Sequence, residues 1–354
     1  MELNTRQLCL IAGGVFPLTK LILLPSALSA YAGRDLWAPA LALFAAQAIV
    51  IWAVLFLSSK TDMTFYELTK RTIGTVGART LFGLYALYFL LSSLLPVLEQ
   101  NLLLRSAFYD TVPSLLISGT FYVLALYFCA KPLRCLGRCA DVAVPLSLFA
   151  LVALIGLSLS SADFGALSPA LQSSPRALLT AGSHALPRFA ECAYPLFFLG
   201  RFRYEKGLAL KVTLSYLAGA ALTLFFLCDF FAVYSVLSPR QSSAISKIGR
   251  YFSGIDLIGR IDLLFVYLLS FGMLFAILLP VRLSTECLRI ACGAKDNAPP
   301  FYLGVNLALL ALNAVFYYAI PEAEALLSRY LFPLFLLFAY LLPPLAWALR
   351  RRHA

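Results

Sequence analysis

The chain has 354 residues, 61% of them hydrophobic and only 13% charged, with a mean hydropathy of +0.86. A water-soluble domain carries about 25% charged residues, so a soluble core is excluded. The apolar runs, 17 to 26 residues long, also exclude a barrel, whose alternating strands need about 10 residues against about 20 for a spanning helix. The net charge of +11 lies mostly in short connections between apolar runs, where it orients a membrane protein rather than binding nucleic acid.

Ten apolar segments are predicted. Segments 1 to 5 are Leu8–Ala30, Leu36–Leu57, Leu81–Leu104, Ser114–Ala130 and Val142–Leu159. After a polar connection come segments 6 to 10: Ala177–Gly200, Val212–Leu237, Leu263–Val281, Phe301–Ile320 and Tyr330–Leu349. The opening MELNTRQLCL has no basic start with a short apolar run and a small-residue cleavage site. No cleaved leader is expected, and segment 1 serves as its own insertion signal. With the N-terminus inside, Lys and Arg favour the inner connections about two to one. Arg188 is counted with the outer group. The connection SPRQSSAISKIGRYFSGIDLIGRID after segment 7 carries four basic residues outside and is expected to fold as a partly amphipathic hairpin.

The expected fold class is an all-α membrane protein with one transmembrane domain over 1–354. It divides into a first five-helix repeat at 1–160 and a second at 177–350. An odd number of spans per half makes these an inverted repeat. Segment 1 holds Gly13, Gly14, Pro17, Lys20 and Pro25; segment 6 holds Gly182, Pro187 and Pro195. Glycine weakens a helix and an internal proline removes a hydrogen bond. Both segments are therefore expected to break, near Gly13–Pro17 and Pro187–Pro195. Interruptions at corresponding places in two halves point to a transporter-type binding site; two ordinary kinked helices are the plain alternative.

Ionisable residues at membrane depth are costly, about 2.5–3.5 kcal/mol on insertion scales, and need a partner or water. The candidates are Lys20, Glu99, Glu191 and Asp229. Lys20 on an outward-running segment and Glu191 on an inward-running one share a depth, so they can pair. Glu191 can equally pair with Arg188 on its own helix, and Lys20 can snorkel to an interface. Glu99 also reads as an outer-interface carboxylate, and Asp229 as either functional or structural. The eight cysteines, among them Cys129, Cys135 and Cys139, make no C-x2-C pattern, so no metal is expected. With two histidines, no nucleophile triad and no GxxxxGK[ST] loop, neither an enzyme nor a cofactor is expected.

Several stretches resemble spore germination permease-like proteins, the B subunits of nutrient germinant receptors, a branch of the amino acid–polyamine–organocation superfamily. They are TRQLCL followed by LILLPSALSAYAGRDLWAPAL; FYELTKRTIGTVGARTLFGLYALYFLL; Glu191 followed by Pro195 and a basic connection; and ISKIGRYFSGIDLIGRIDLLFVYLLSFG. The resemblance covers nearly the whole chain through order and spacing. It implies a ten-helix inverted-repeat fold and an amino acid or similar nutrient held between segments 1, 3, 6 and 8. The residues so expected to line the site are Gly13, Gly14, Lys20, Glu99, Phe189, Ala190, Glu191, Cys192 and Ser270. It also implies a membrane-protein A subunit and a lipoprotein C subunit as partners, in the lipid bilayer of the cytoplasmic or spore inner membrane, with proton-coupled amino acid transport as the alternative function. Lys20 departs from the family, which more often has a small residue there.

Overall fold

The computed structural model describes residues 3–59, 63–107, 114–202, 204–241, 243–250, 261–294 and 299–345. Its regular elements are helical apart from one isolated bridge, Leu3 with Phe202. Among the described residues, six helices are long and apolar enough to cross a membrane: Trp37–Ser58, Phe65–Arg105, Leu133–Ser161, Leu208–Arg240, Leu263–Ala291 and Pro299–Phe316. Ile320–Tyr330 and Phe332–Leu345 form a seventh if they are one span bent by 64°. Segment 4 is a helix at Ser114–Ala130. Segments 1 and 6 are helical only in short pieces.

Several ends differ from the hydropathy reading, each where a helix runs past its apolar stretch. Segment 3 begins at Phe65, not Leu81, because Thr64 and Glu67 form a capping box that satisfies otherwise orphaned amides. Gly74, at φ 78° and ψ 176°, bends this helix in a conformation that glycine tolerates best. Segment 5 starts at Leu133 and segment 8 continues to Ala291, across a turn at Leu274. Segment 10 starts at Ile320 rather than Tyr330 and breaks at Leu331. In the connection after segment 7, a helix covers Ala244–Arg250. Residues 251–260 of that connection and the tail 350–354 lie outside the described residues.

Polar ties gather at the two ends of the bundle. At one, Leu3 N donates to Arg201 O at 3.3 Å, and Arg6 and Gln7 bond Asp141 at 3.1 and 2.9 Å. At the other, Arg34 bonds Ser168 O at 2.8 Å and Asp35 accepts from the amides of Leu171 and Ser173 at 2.6 and 2.7 Å. The first end holds the chain start and the close of segment 6.

The core brings segment 1 against segment 7 and the second half of segment 1 against the first half of segment 6. Segment 7 approaches segment 1 so closely that a Cβ on Gly219 would lie 1.8 Å from the Gly13 carbonyl oxygen. Pro17 explains why that oxygen is open: it has no amide to donate back to Gly13. The local widening appears as a π-helix at Ile11–Val15.

Candidate ligand site between the two broken segments

Segment 1 breaks later than its glycines suggest. The helix persists to Leu18, and residues 19–23 carry the turn before helix resumes at Leu24, with Pro25 in its first turn. At the break the Lys20 amide donates to Pro17 O at 3.1 Å. The carbonyl of Phe16, its ordinary helical partner, takes side-chain donors instead. In segment 6 the break falls where expected: a tight 3-10 stretch runs from Leu186 to Ala193, with Phe189 non-helical at φ −109° and ψ 25°.

The two breaks meet through charge. Lys20 Nζ lies 2.7 Å from Glu191 Oε2, with the lysine side chain 0% and the glutamate 7% exposed. The ammonium also donates to Phe16 O at 2.9 Å and to Thr19 Oγ1 at 2.8 Å, and stands 4.9 Å from the centroid of the Phe189 ring. An ammonium has three protons, so its donors are saturated. Thr19 Oγ1 lies 2.9 Å from the other Glu191 oxygen and 2.7 Å from Phe16 O. Such saturation offsets the desolvation of a buried ion pair, and the ring face adds a cation–π contact.

Arg188, counted with the outer basic residues in the sequence, is buried. It turns away from Glu191, bonding Glu99 at 2.8 Å and Glu324 at 3.0 Å. Glu99 is thus a buried partner of segment 6 rather than an interface carboxylate. The guanidinium clasps segments 3, 6 and 10 together. Beside it, Ser328 joins Glu324 O at 2.7 Å and lies 3.2 Å from His184 Nδ1, and His184 stacks on Tyr31 at 4.5 Å. Glu324 carried no sequence signal, because the run PEAEA lies in what reads as a connection.

From Phe16 an aromatic column runs to segments 3 and 6. Phe16 meets Tyr194 at 5.7 Å, Tyr194 meets Phe89 at 5.7 Å, and Phe89 meets Phe197 at 4.9 Å between ring centroids. Phe197 and Phe82, themselves 5.6 Å apart, form part of the wall of a cavity of about 370 Å³, which Arg79, Arg201 and Glu286 also line. Arg201 and Glu286 form an ion pair across that cavity, between the end of segment 6 and segment 8.

The remaining expected residues fall in different places. Phe189 covers Lys20 and packs edge-on against Phe44 at 5.0 Å. The Ala190 carbonyl accepts from Tyr88 at 2.7 Å, and Cys192 is wholly buried beside Glu191. Gly13 and Gly14 are packing positions: an added Cβ would meet Ser215 of segment 7 at 2.2 Å and Val144 of segment 5 at 2.1 Å. Ser270 bonds Val266 O in its own helix at 2.8 Å. Asp229 accepts from Ser158 of segment 5, away from the centre. Phe16 and Thr19 were missed, one acting through its backbone and the other a common uncharged residue.

A family model described as spore germination protein matches residues 4–294. No curated protein matches the chain. Among solved structures, a nucleobase-cation-symport-1 family transporter, closed with bromovinylhydantoin bound, aligns with a TM-score of 0.63 at 14% identity, covering 95% of this chain and 77% of that one. Two mutants of the Eremococcus coleocola manganese transporter align with TM-scores of 0.59 at 12% and 13% identity, covering 96% of this chain and 78% of theirs. The chain shares their fold.

Proposed function

Because this chain belongs to the spore germination protein family, we propose that it is the membrane subunit of a spore nutrient germinant receptor. It binds an amino acid or similar small nutrient at the junction of segments 1 and 6 and triggers germination. The observation that carries this reading is the Lys20–Glu191 centre, where two interrupted helices place an ammonium, a carboxylate, a hydroxyl and a main-chain carbonyl at one point. Broken helices in a shared transporter fold hold small polar ligands through such groups. Layers on both sides favour a site that opens and closes: the Arg188 clasp outside, the aromatic column and the Arg201–Glu286 pair inside.

In this reading ten segments form two five-helix halves of opposite orientation, 1–160 and 177–350. Both termini are cytoplasmic, the membrane is the spore inner membrane, and the receptor is completed by a membrane A subunit and a lipoprotein C subunit. Gly13, Gly14 and Ser270 shape the segments around the ligand, while Lys20, Glu99 and Phe189 to Cys192 face it. The fold and its buried ion pair also favour a second reading, a proton-coupled amino acid transporter.

The test is a panel of amino acids, sugars and nucleobases, read first as thermal shift on the purified protein and then as uptake into proteoliposomes. Binding without uptake is the expected result. Uptake driven by a proton gradient selects the transporter, and no shift with any compound removes the nutrient-site reading.

A further inference from the structure

The surroundings of Lys20 describe a seat for a primary ammonium group. A carboxylate oxygen, a hydroxyl and a helix-break carbonyl stand 2.7, 2.8 and 2.9 Å from the nitrogen. That is one acceptor for each of its three protons, and the Phe189 ring lies 4.9 Å away. The groups come from the breaks of two different segments, and the nitrogen they enclose belongs to a side chain with no solvent exposure. Nothing on the ammonium is left to receive a ligand carboxylate.

We propose that Lys20 is a built-in occupant of an alkylammonium-binding site: the chain fills its own amine seat with its own side chain. The proposal deepens the reading of this centre as the ligand site and rests on it. It makes the resting site closed to free alkylamines and to monovalent cations, because the position and charge they would take are already taken. A nutrient bearing an amino group then binds only by displacing the Lys20 ammonium from Glu191. The same geometry gives the lysine a positional role that a merely stabilising ion pair lacks, since the seat must survive when the tether is cut.

Cutting the tether is direct. Lys20→Ala removes three methylenes and the amine, and n-propylammonium is the missing fragment. Purified Lys20→Ala protein in an amine-free buffer should gain thermal stability with n-propylammonium, by roughly 3 °C or more at concentrations well above its Kd. Neither n-propanol, tetramethylammonium nor sodium should do this, since none offers three N–H donors on an alkyl stem. The parent protein should not respond to n-propylammonium, and Lys20→Ala/Glu191→Gln, which lacks the carboxylate, should lose the response. If Lys20→Ala is recovered folded only when n-propylammonium is present, that rescue is the expected result in another form. Equal shifts in parent and variant overturn the proposal. So does an unresponsive folded Lys20→Ala, or one that aggregates with and without the amine while the double variant folds. A parent protein that binds no nutrient, beside an amine-responsive Lys20→Ala, leaves the seat standing and rejects only the nutrient-site reading.

Discussion

Arg188 and Glu191 stand three residues apart on the broken stretch of segment 6, and each pairs away from the other. Arg188 takes Glu99 and Glu324 on one side, and Glu191 takes Lys20 on the other. In a regular helix residues three apart share a face. A 3-10 turn brings such residues still closer into line, so it is the non-helical Phe189 between them that breaks the alignment and leaves room for a cation from segment 1. One short stretch thereby links segments 1, 3 and 10 through three buried or half-buried ionic contacts.

The clasp has a weak arm and a strong one. Glu99 is 4% exposed and Glu324 23% exposed. Glu324→Gln should therefore lower stability by about 1–2 kcal/mol, and Glu99→Gln by about 3–5 kcal/mol, as for one partner of a buried pair. Loosening the weak arm should open access to the centre between segments 1 and 6. Cys192, fully buried beside Glu191, can report this as the sole cysteine in an otherwise cysteine-free chain. Glu324→Gln should raise its labelling rate by a small thiol reagent several-fold. An unchanged rate would deny Arg188–Glu324 a gating role.

At the end of the bundle that holds Arg34, Asp35 is wholly buried and accepts from the amides of Leu171 and Ser173. Burial pushes its carboxyl upward, but the bonds from Ser173 and neighbouring amides outweigh it and hold the acid below its usual value. A depressed folded value means that the contribution is complete above the ordinary carboxylate range, near 3.9, and is lost as pH falls through the lower folded value. Asp35→Asn should therefore lower the melting temperature at neutral pH and narrow its gap from the parent as pH drops below 4. A gap constant with pH would assign the loss to geometry alone.

Close helix approach can be tested by adding a single carbon. Gly219→Ala places a Cβ 1.8 Å from the Gly13 carbonyl oxygen, a backbone clash that no rotamer relieves. Its cost should reach at least the 1–3 kcal/mol, roughly, of an overpacked core. Gly156→Ala, in segment 5 with nothing within 4 Å, should be neutral or gain up to about 1 kcal/mol from better helix propensity. Equal melting temperatures for the two variants would contradict the tight packing of segments 1 and 7.

Hydropathy exposed the membrane class and most of the spans, because burial in lipid demands long apolar stretches whatever the tertiary fold. It missed the start of segment 3, because Phe65 to Thr80 is polar and its helix is nucleated by a cap, not by apolar periodicity. Proline and glycine marked segment 6 correctly but misplaced the break of segment 1. There Gly13 and Gly14 serve contacts with segments 7 and 5, while the unwinding follows Pro17 by two residues. Lys20 and Glu191 were legible as unlike charges at one depth. Glu324 was not, since its role depends on where segment 10 bends.

The Lys20–Glu191 pair makes the sharpest energetic claim, because both partners are buried and both charges are compensated locally. Removing one partner leaves the other charge without its counter-ion at low dielectric, a loss of about 3–5 kcal/mol. Lys20→Met and Glu191→Gln should each lower the melting temperature in detergent. Lys20→Met/Glu191→Gln removes both charges and leaves Phe16 O and Thr19 bonded to each other, as their 2.7 Å separation allows. It should therefore recover part of the loss. The interaction term is the measurement, since single losses also arise from misfolding, and contacting residues deviate from additivity by about 0.5–3 kcal/mol. A double variant no more stable than the sum of its parts would mean that the two side chains contribute separately and that their 2.7 Å contact does not hold the breaks of segments 1 and 6 together.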